Sequence, residues 1–149
     1  MKITKFISGF LGIALFTFGV LKFFNPFKGW YTTQISNSGL GDFSYTIGIL
    51  AEISIGTAFI LLFIFQSKIS GKYLPLMVIT ASTIVIFIML TGIYVHLNPN
   101  VPADVLPLKI KPPFIPGFFL ALAVINIFLS VKQYRQYNIK PVLKNKQVS

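Results

Sequence analysis

Apolar residues along this chain gather into four long runs, near 6–24, 45–65, 75–97 and 116–131, separated by segments rich in Gly, Pro, Asn, Ser and Lys. A hydrocarbon core of roughly 30 Å takes about 20 helical residues to cross, and each run comes close to that length. The last is the shortest and can borrow residues 113–115. The pattern predicts an all-α polytopic membrane protein. Residues 1–131 would form one domain, a bundle of four transmembrane helices, and 132–149 a basic tail.

Helical spacing within the runs predicts which faces meet. Ser8, Gly12, Leu15, Gly19 and Lys22 recur at steps of four and three in the first run, and Gly48, Glu52 and Gly56 share a face of the second. Small residues let membrane helices approach closely, so both stripes are expected to point into the bundle and to carry Lys22 and Glu52 inward. The third run aligns Thr80, Thr83, Phe87, Thr91 and Tyr94, with His96 near its outer end. The fourth aligns Phe119, Ala123, Asn126 and Ser130.

The connections differ in character. Residues 25–44 read as a loop that opens with Asn-Pro-Phe and sets Trp30 and Tyr31 among Phe23, Phe24 and Phe27, a composition suited to an interfacial aromatic belt. Asp42 or Ser44 is placed to cap the second helix. The turn at 66–74 is short, which makes the second and third helices antiparallel neighbours. The segment NPNVPADVLPLKIKPPFI at 98–115 holds five of the nine prolines and cannot be helical throughout. Its Val105, Leu106, Leu108 and Ile110 suggest an ordered flap over the outer mouth of the bundle; a plain connector at headgroup level is the alternative.

Composition agrees with the runs. The chain is 54% hydrophobic and 11% charged, with a mean hydropathy of +0.77, whereas an ordinary soluble domain is about 25% charged. With no cysteine, it cannot perform thiol–disulfide exchange or hold an iron–sulfur cluster through thiolates. One histidine excludes bis-histidine haem ligation within a single chain, and no metal-ligand spacing is present.

The formal charge of +10 takes its meaning from its distribution. Lys2, Lys5, Lys68, Lys72, Lys132, Arg135, Lys140, Lys144 and Lys146 fall on one side of a four-span topology, and Lys22, Lys28, Lys109 and Lys111 toward the other. The positive-inside rule places both termini and the 66–74 turn in the cytoplasm. The basic tail reads as a topology determinant in contact with anionic lipid. It lacks the interleaved aromatics of a nucleic-acid platform, and no nucleic-acid partner is expected. The first run has no small-x-small cleavage site before Lys22 and reads as a retained helix.

Ionisable groups deep in a membrane usually face the bundle interior, find a partner and mark a site. Glu52 lies seven to nine residues into its run, roughly 10–13 Å at about 1.5 Å per residue. Lys22 either snorkels to the headgroups or reaches Glu52. Asn126 either lines a polar cavity or joins two helices, and the threonines either line that cavity or bond their own backbone carbonyls. The candidate polar pocket comprises Lys22, Glu52, Thr91, Tyr94, His96 and Asn126. His96 also reads as a simple interfacial residue.

Three segments carry a resemblance: GVLKFFNPF at 19–27, GILAEISIG at 48–56 and PFIPGFFLALAVINIF at 113–128. Over nearly its full length the chain resembles the DoxX-like family of small four-helix membrane proteins. The resemblance implies that Lys22 and Glu52 form a polar pair near the outer leaflet. Founding relatives are small subunits of a thiosulfate:quinone oxidoreductase, others belong to membrane-associated redox complexes, and a distant animal branch includes a receptor-assembly chaperone. The resemblance therefore implies an accessory or noncatalytic component of a quinone-linked or envelope redox system in the bacterial inner membrane. A quinone would hydrogen-bond to Lys22, Glu52, Tyr94 or His96, and a redox partner subunit would supply the electron transfer. Two alternatives stay open: an assembly chaperone for a client membrane protein, and a lipid- or sterol-transforming enzyme with Glu52 as acid or base. The last requires a second acid or base facing the first.

Overall fold

A computed structural model describes residues 2–146, with side chains to residue 138. The helices are α1 (Lys2–Leu21), α2 (Phe27–Ser38), α3 (Asp42–Phe65), α4 (Tyr73–Leu97) and α5 (Phe114–Lys146), with single 3-10 turns at Ala103–Val105 and Pro107–Lys109. No strand occurs among the described residues. Lys2–Leu21, Asp42–Phe65, Tyr73–Leu97 and Phe114–Asn138 are long and apolar enough to cross a membrane. Phe6, Ile64, Phe87 and Phe128 are among the large apolar side chains exposed on all four, a surface that water would penalise and lipid accommodates. The chain is an all-α, multi-pass membrane protein built as a four-helix bundle. The end that carries the termini is called inner below, and the opposite end outer.

The bundle consists of two close antiparallel pairs, α1 with α3 and α4 with α5. Glycine sets the first contact. A methyl group on Gly56 would stand 2.4 Å from the Phe16 backbone nitrogen, and one on Gly12 would stand 2.9 Å from Phe59 Cβ. Dispersion and close backbone approach drive such pairing where lipid removes the hydrophobic contrast between helices. Leu11, Leu15, Phe59, Val85 and Ala123, each at most 1% exposed, fill the centre where the pairs meet. The α3 and α4 helices are neighbours across the short inner turn.

Three features depart from the sequence pattern. Residues 27–38, expected as loop, form α2, whose buried residues are only Tyr31, Ile35 and Ser38, spaced by four and three along one face. So few apolar positions leave no legible period, although Pro26 before it and Gly39 after it, at φ 75°, mark its ends. Neither Asp42 nor Ser44 caps α3 through its side chain. Gly41 occupies that position, and Ser44 Oγ donates to the Leu40 carbonyl at 2.8 Å. Asp42 lies instead in the first turn, where its charge favours the helix dipole. Finally, α5 continues beyond residue 131 to Lys146, so most of the basic tail extends the fourth helix. The side chains of Lys140, Lys144 and Lys146, and residues 147–149, lie outside the described residues.

The 98–115 segment folds back on α2 and on the outer end of α4. Its own Val101 and Leu106 are buried against Val95 of α4, at 0% and 1% exposure. Gln34 Nε2 donates to the Val105 carbonyl, and Asn37 Nδ2 to the Asn100 carbonyl at 3.1 Å. The Ser38 carbonyl at the end of α2 accepts from Tyr94 Oη at 3.0 Å and from Asn98 Nδ2 at 3.2 Å. Within the segment, Lys111 Nζ donates to the carbonyls of Asn98 and Val101. Prolines stiffen this segment and side chains satisfy its backbone, making an ordered outer cap.

Candidate functional site

Lys22 follows the last residue of α1, and Gly19, one turn earlier, brings that helix end onto α3. A methyl group on Gly19 would stand 2.6 Å from Ile53 Cγ1 and 3.3 Å from Glu52 Cβ. With the backbones this close, Lys22 Nζ donates to Glu52 Oε1 at 2.7 Å. The two side chains are 16% and 13% exposed. Charge-assisted bonds of this length are among the stronger protein hydrogen bonds. The second carboxylate oxygen, Glu52 Oε2, is buried and receives no hydrogen bond from the protein.

Tyr31 of α2 completes the site. Its ring lies with its centre 3.9 Å from Lys22 Nζ, within the range of a cation–π contact. Its hydroxyl points to the Ser44 carbonyl at 3.4 Å and passes over Gly48, where a methyl group would stand 2.1 Å from Tyr31 Oη. Gly48 is therefore the space into which the phenol fits. The Tyr45 ring lies 5.0 Å away, centre to centre. Burial raises the Tyr31 phenol well above its ordinary range, and the negative charge of Glu52 and the neighbouring Tyr45 add to the effect. The arrangement is an ion pair under an aromatic lid, with one carboxylate oxygen still able to accept.

The other candidates lie elsewhere. Tyr94 and His96 belong to the outer cap, where His96 is buried and its Nδ1 stands 3.3 Å from the Lys111 carbonyl. Thr91 faces outward and donates to the Phe87 carbonyl of its own helix at 3.0 Å, and Thr80 and Thr83 likewise donate to the carbonyls of Leu76 and Ile79 on α4. Asn126 is fully buried in the inner half, donating to Ser8 Oγ at 3.0 Å and Ser82 Oγ at 3.2 Å. The structure thus brings Lys22 and Glu52 together and leaves the remaining four apart from them. Tyr31, which the sequence suggested only as a belt aromatic, is the residue that joins the pair. The available signal was Gly48, one turn before a buried carboxylate, where a side chain from another element can rest on the helix.

Among the described residues no group of three or more His, Asp or Glu side chains could hold a metal ion. Comparison with protein-family models, characterised proteins and solved structures finds no match.

Proposed function

We propose that this chain is a DoxX-like accessory protein of the bacterial inner membrane, with both termini cytoplasmic, that binds the head group of a membrane quinone for a partner redox subunit. The supporting observation is the unpartnered Oε2 of the Glu52 carboxylate, whose other oxygen is held by the Lys22 ammonium that lies against the Tyr31 ring. A buried acceptor without a donor is costly, and a ligand hydroxyl removes that cost. Lys22 retains protons to offer a quinone carbonyl, while Glu52 Oε2 accepts from a quinol hydroxyl. The chain is noncatalytic in this reading because the groups beside Glu52 are Lys22, already paired with it, and the Tyr31 phenol, which burial holds in its protonated form.

The test is to purify the protein in mild detergent, extract it with organic solvent and quantify isoprenoid quinones, then titrate a short-chain quinol. About one quinone per chain, lost in both Lys22→Met and Glu52→Gln and kept in Thr91→Val, is expected. Absence of quinone together with no saturable quinol binding overturns the reading, and a stoichiometric copurifying protein in its place favours the assembly-chaperone alternative.

A further inference from the structure

A second polar feature occupies the inner half of the bundle, separate from the Lys22–Glu52 site. From Asn126, Ser130 and Gln133 follow along α5 at steps of four and three, and Ser8 and Thr4 face them from α1. Asn126 Nδ2 donates to Ser8 Oγ and Ser82 Oγ, and Gln133 Nε2 donates to Thr4 Oγ1 at 2.6 Å. Between these two rungs Ser130 is 0% exposed, and its hydroxyl has no partner. Asn126 Oδ1, equally buried, receives no hydrogen bond either.

A cavity of about 50 Å³ adjoins this ladder at the inner end, lined by Thr4, Lys5, Ser8, Gln66, Val78 and Gln133 among others. Ser8 is thus both a rung and part of the cavity wall. Toward the outer end the stripe turns apolar. Leu11, Leu15, Phe59, Val85 and Phe119 close the bundle above Asn126.

We propose that the ladder is a water inlet, a blind file of water molecules that enters at the inner end and hydrogen-bonds Ser130 Oγ and Asn126 Oδ1. Buried water commonly serves polar groups that the protein leaves unpaired, and it needs a polar site with two to four partners and about 10–15 Å³ of space per molecule. The cavity meets the volume condition, and its wall offers the polar side chains of Thr4, Ser8 and Gln133; Ser130 Oγ and Asn126 Oδ1 lie beyond that wall, and the inlet extends to them past Ser8. A bound cation fits poorly here, since the carboxylates Asp42, Glu52 and Asp104 all belong to the outer half and the nearest charged wall residue is Lys5. The inlet hydrates the membrane interior to the depth of Asn126 and stops at the apolar layer.

Radiolytic labelling of the unmodified protein in H₂¹⁸O tests this directly, because hydroxyl radicals formed from bound water mark the side chains beside it. Val78 and Val85 offer a matched pair, both buried on α4, one at the cavity and one in the seal. At least tenfold more ¹⁸O at Val78 than at Val85 is expected. Equal labelling overturns the inlet. An independent arm uses the absence of cysteine: Ser130→Cys should react with silver ion at least tenfold faster than Ala123→Cys, and equal rates count against the proposal. Should Ser130→Cys fail to fold, the valine comparison alone decides.

Discussion

Lys22 and Glu52, thirty residues apart in the chain, meet at 2.7 Å because Gly19 lets the end of α1 rest against α3. Removing one member of a buried pair leaves an uncompensated charge and costs about 3–5 kcal/mol, the lower end applying where some exposure remains. Lys22→Met and Glu52→Gln are each expected to lower thermal stability in detergent, with the double replacement recovering much of the loss. A double-mutant cycle checks this, and strictly additive losses would show that the pair contributes no coupling.

The glycine seam predicts a contrast between positions. Gly56→Ala forces a methyl group against the backbone of Phe16 and should destabilise by about 1–3 kcal/mol. Gly29→Ala, in α2 with open space around it, should be neutral or stabilise by up to about 1 kcal/mol through helix propensity. Thermal denaturation of the two variants side by side measures the difference. Equal effects would remove close approach as the explanation.

The Tyr31 phenol should ionise only above the usual tyrosine range, because its burial and the Glu52 charge both disfavour the phenolate. In that window the unfolded chain releases its proton first, so the contribution to stability present below the ordinary phenol value is lost as pH rises. Ultraviolet titration of wild type and Tyr31→Phe is the check. The late-ionising component should vanish in the variant, and its persistence would assign it to another tyrosine.

Order in the outer cap should show as resistance to trypsin. The Lys111 ammonium ties the carbonyls of Asn98 and Val101, so cleavage after Lys109 should be slow in wild type. Lys111→Met should accelerate it several-fold. Cleavage that is already fast in wild type would make the segment a loose connector.

Much of this fold was legible because the bilayer imposes one requirement, about 20 apolar residues per span, that the four runs state openly. The stripes also transmitted their meaning: Gly12, Gly19 and Gly56 predicted contact, and the contact is present. The identity of the partners was less accessible. Nothing in the threonine spacing distinguishes a cavity face from a lipid face, since Thr80, Thr83 and Thr91 satisfy themselves on their own helix. Tyr31 was hidden because α2 buries too few residues to announce a helix, and its role depends on Gly48 in a different element.

The proposed orientation has its own measurement. A single cysteine at Asn100 should react with an impermeant thiol reagent in intact spheroplasts, whereas one at Ser70 should not, both positions being exposed. The reverse pattern would invert the topology.

The pairing of α1 with α3 and of α4 with α5 has a consequence for how the molecule comes together. Each pair is a hairpin closed on the outer side, and the single covalent link between the hairpins is the inner turn after Phe65. Inside each hairpin, close approach depends on shape, glycine against backbone in one and Gly92 against Pro116 in the other, with the Lys22–Glu52 pair and the Asn126–Ser82 bond beside it. Between hairpins the apolar core is joined by directional bonds, through Asn126 to Ser8 at the inner half and through Ser38, Asn37 and Gln34 at the outer end. The apolar core holds the halves together, and the hydrogen bonds across it set the register in which they meet. A chain cut within the inner turn should therefore still yield two fragments that find each other, and replacing Asn126 should loosen the register of their reunion.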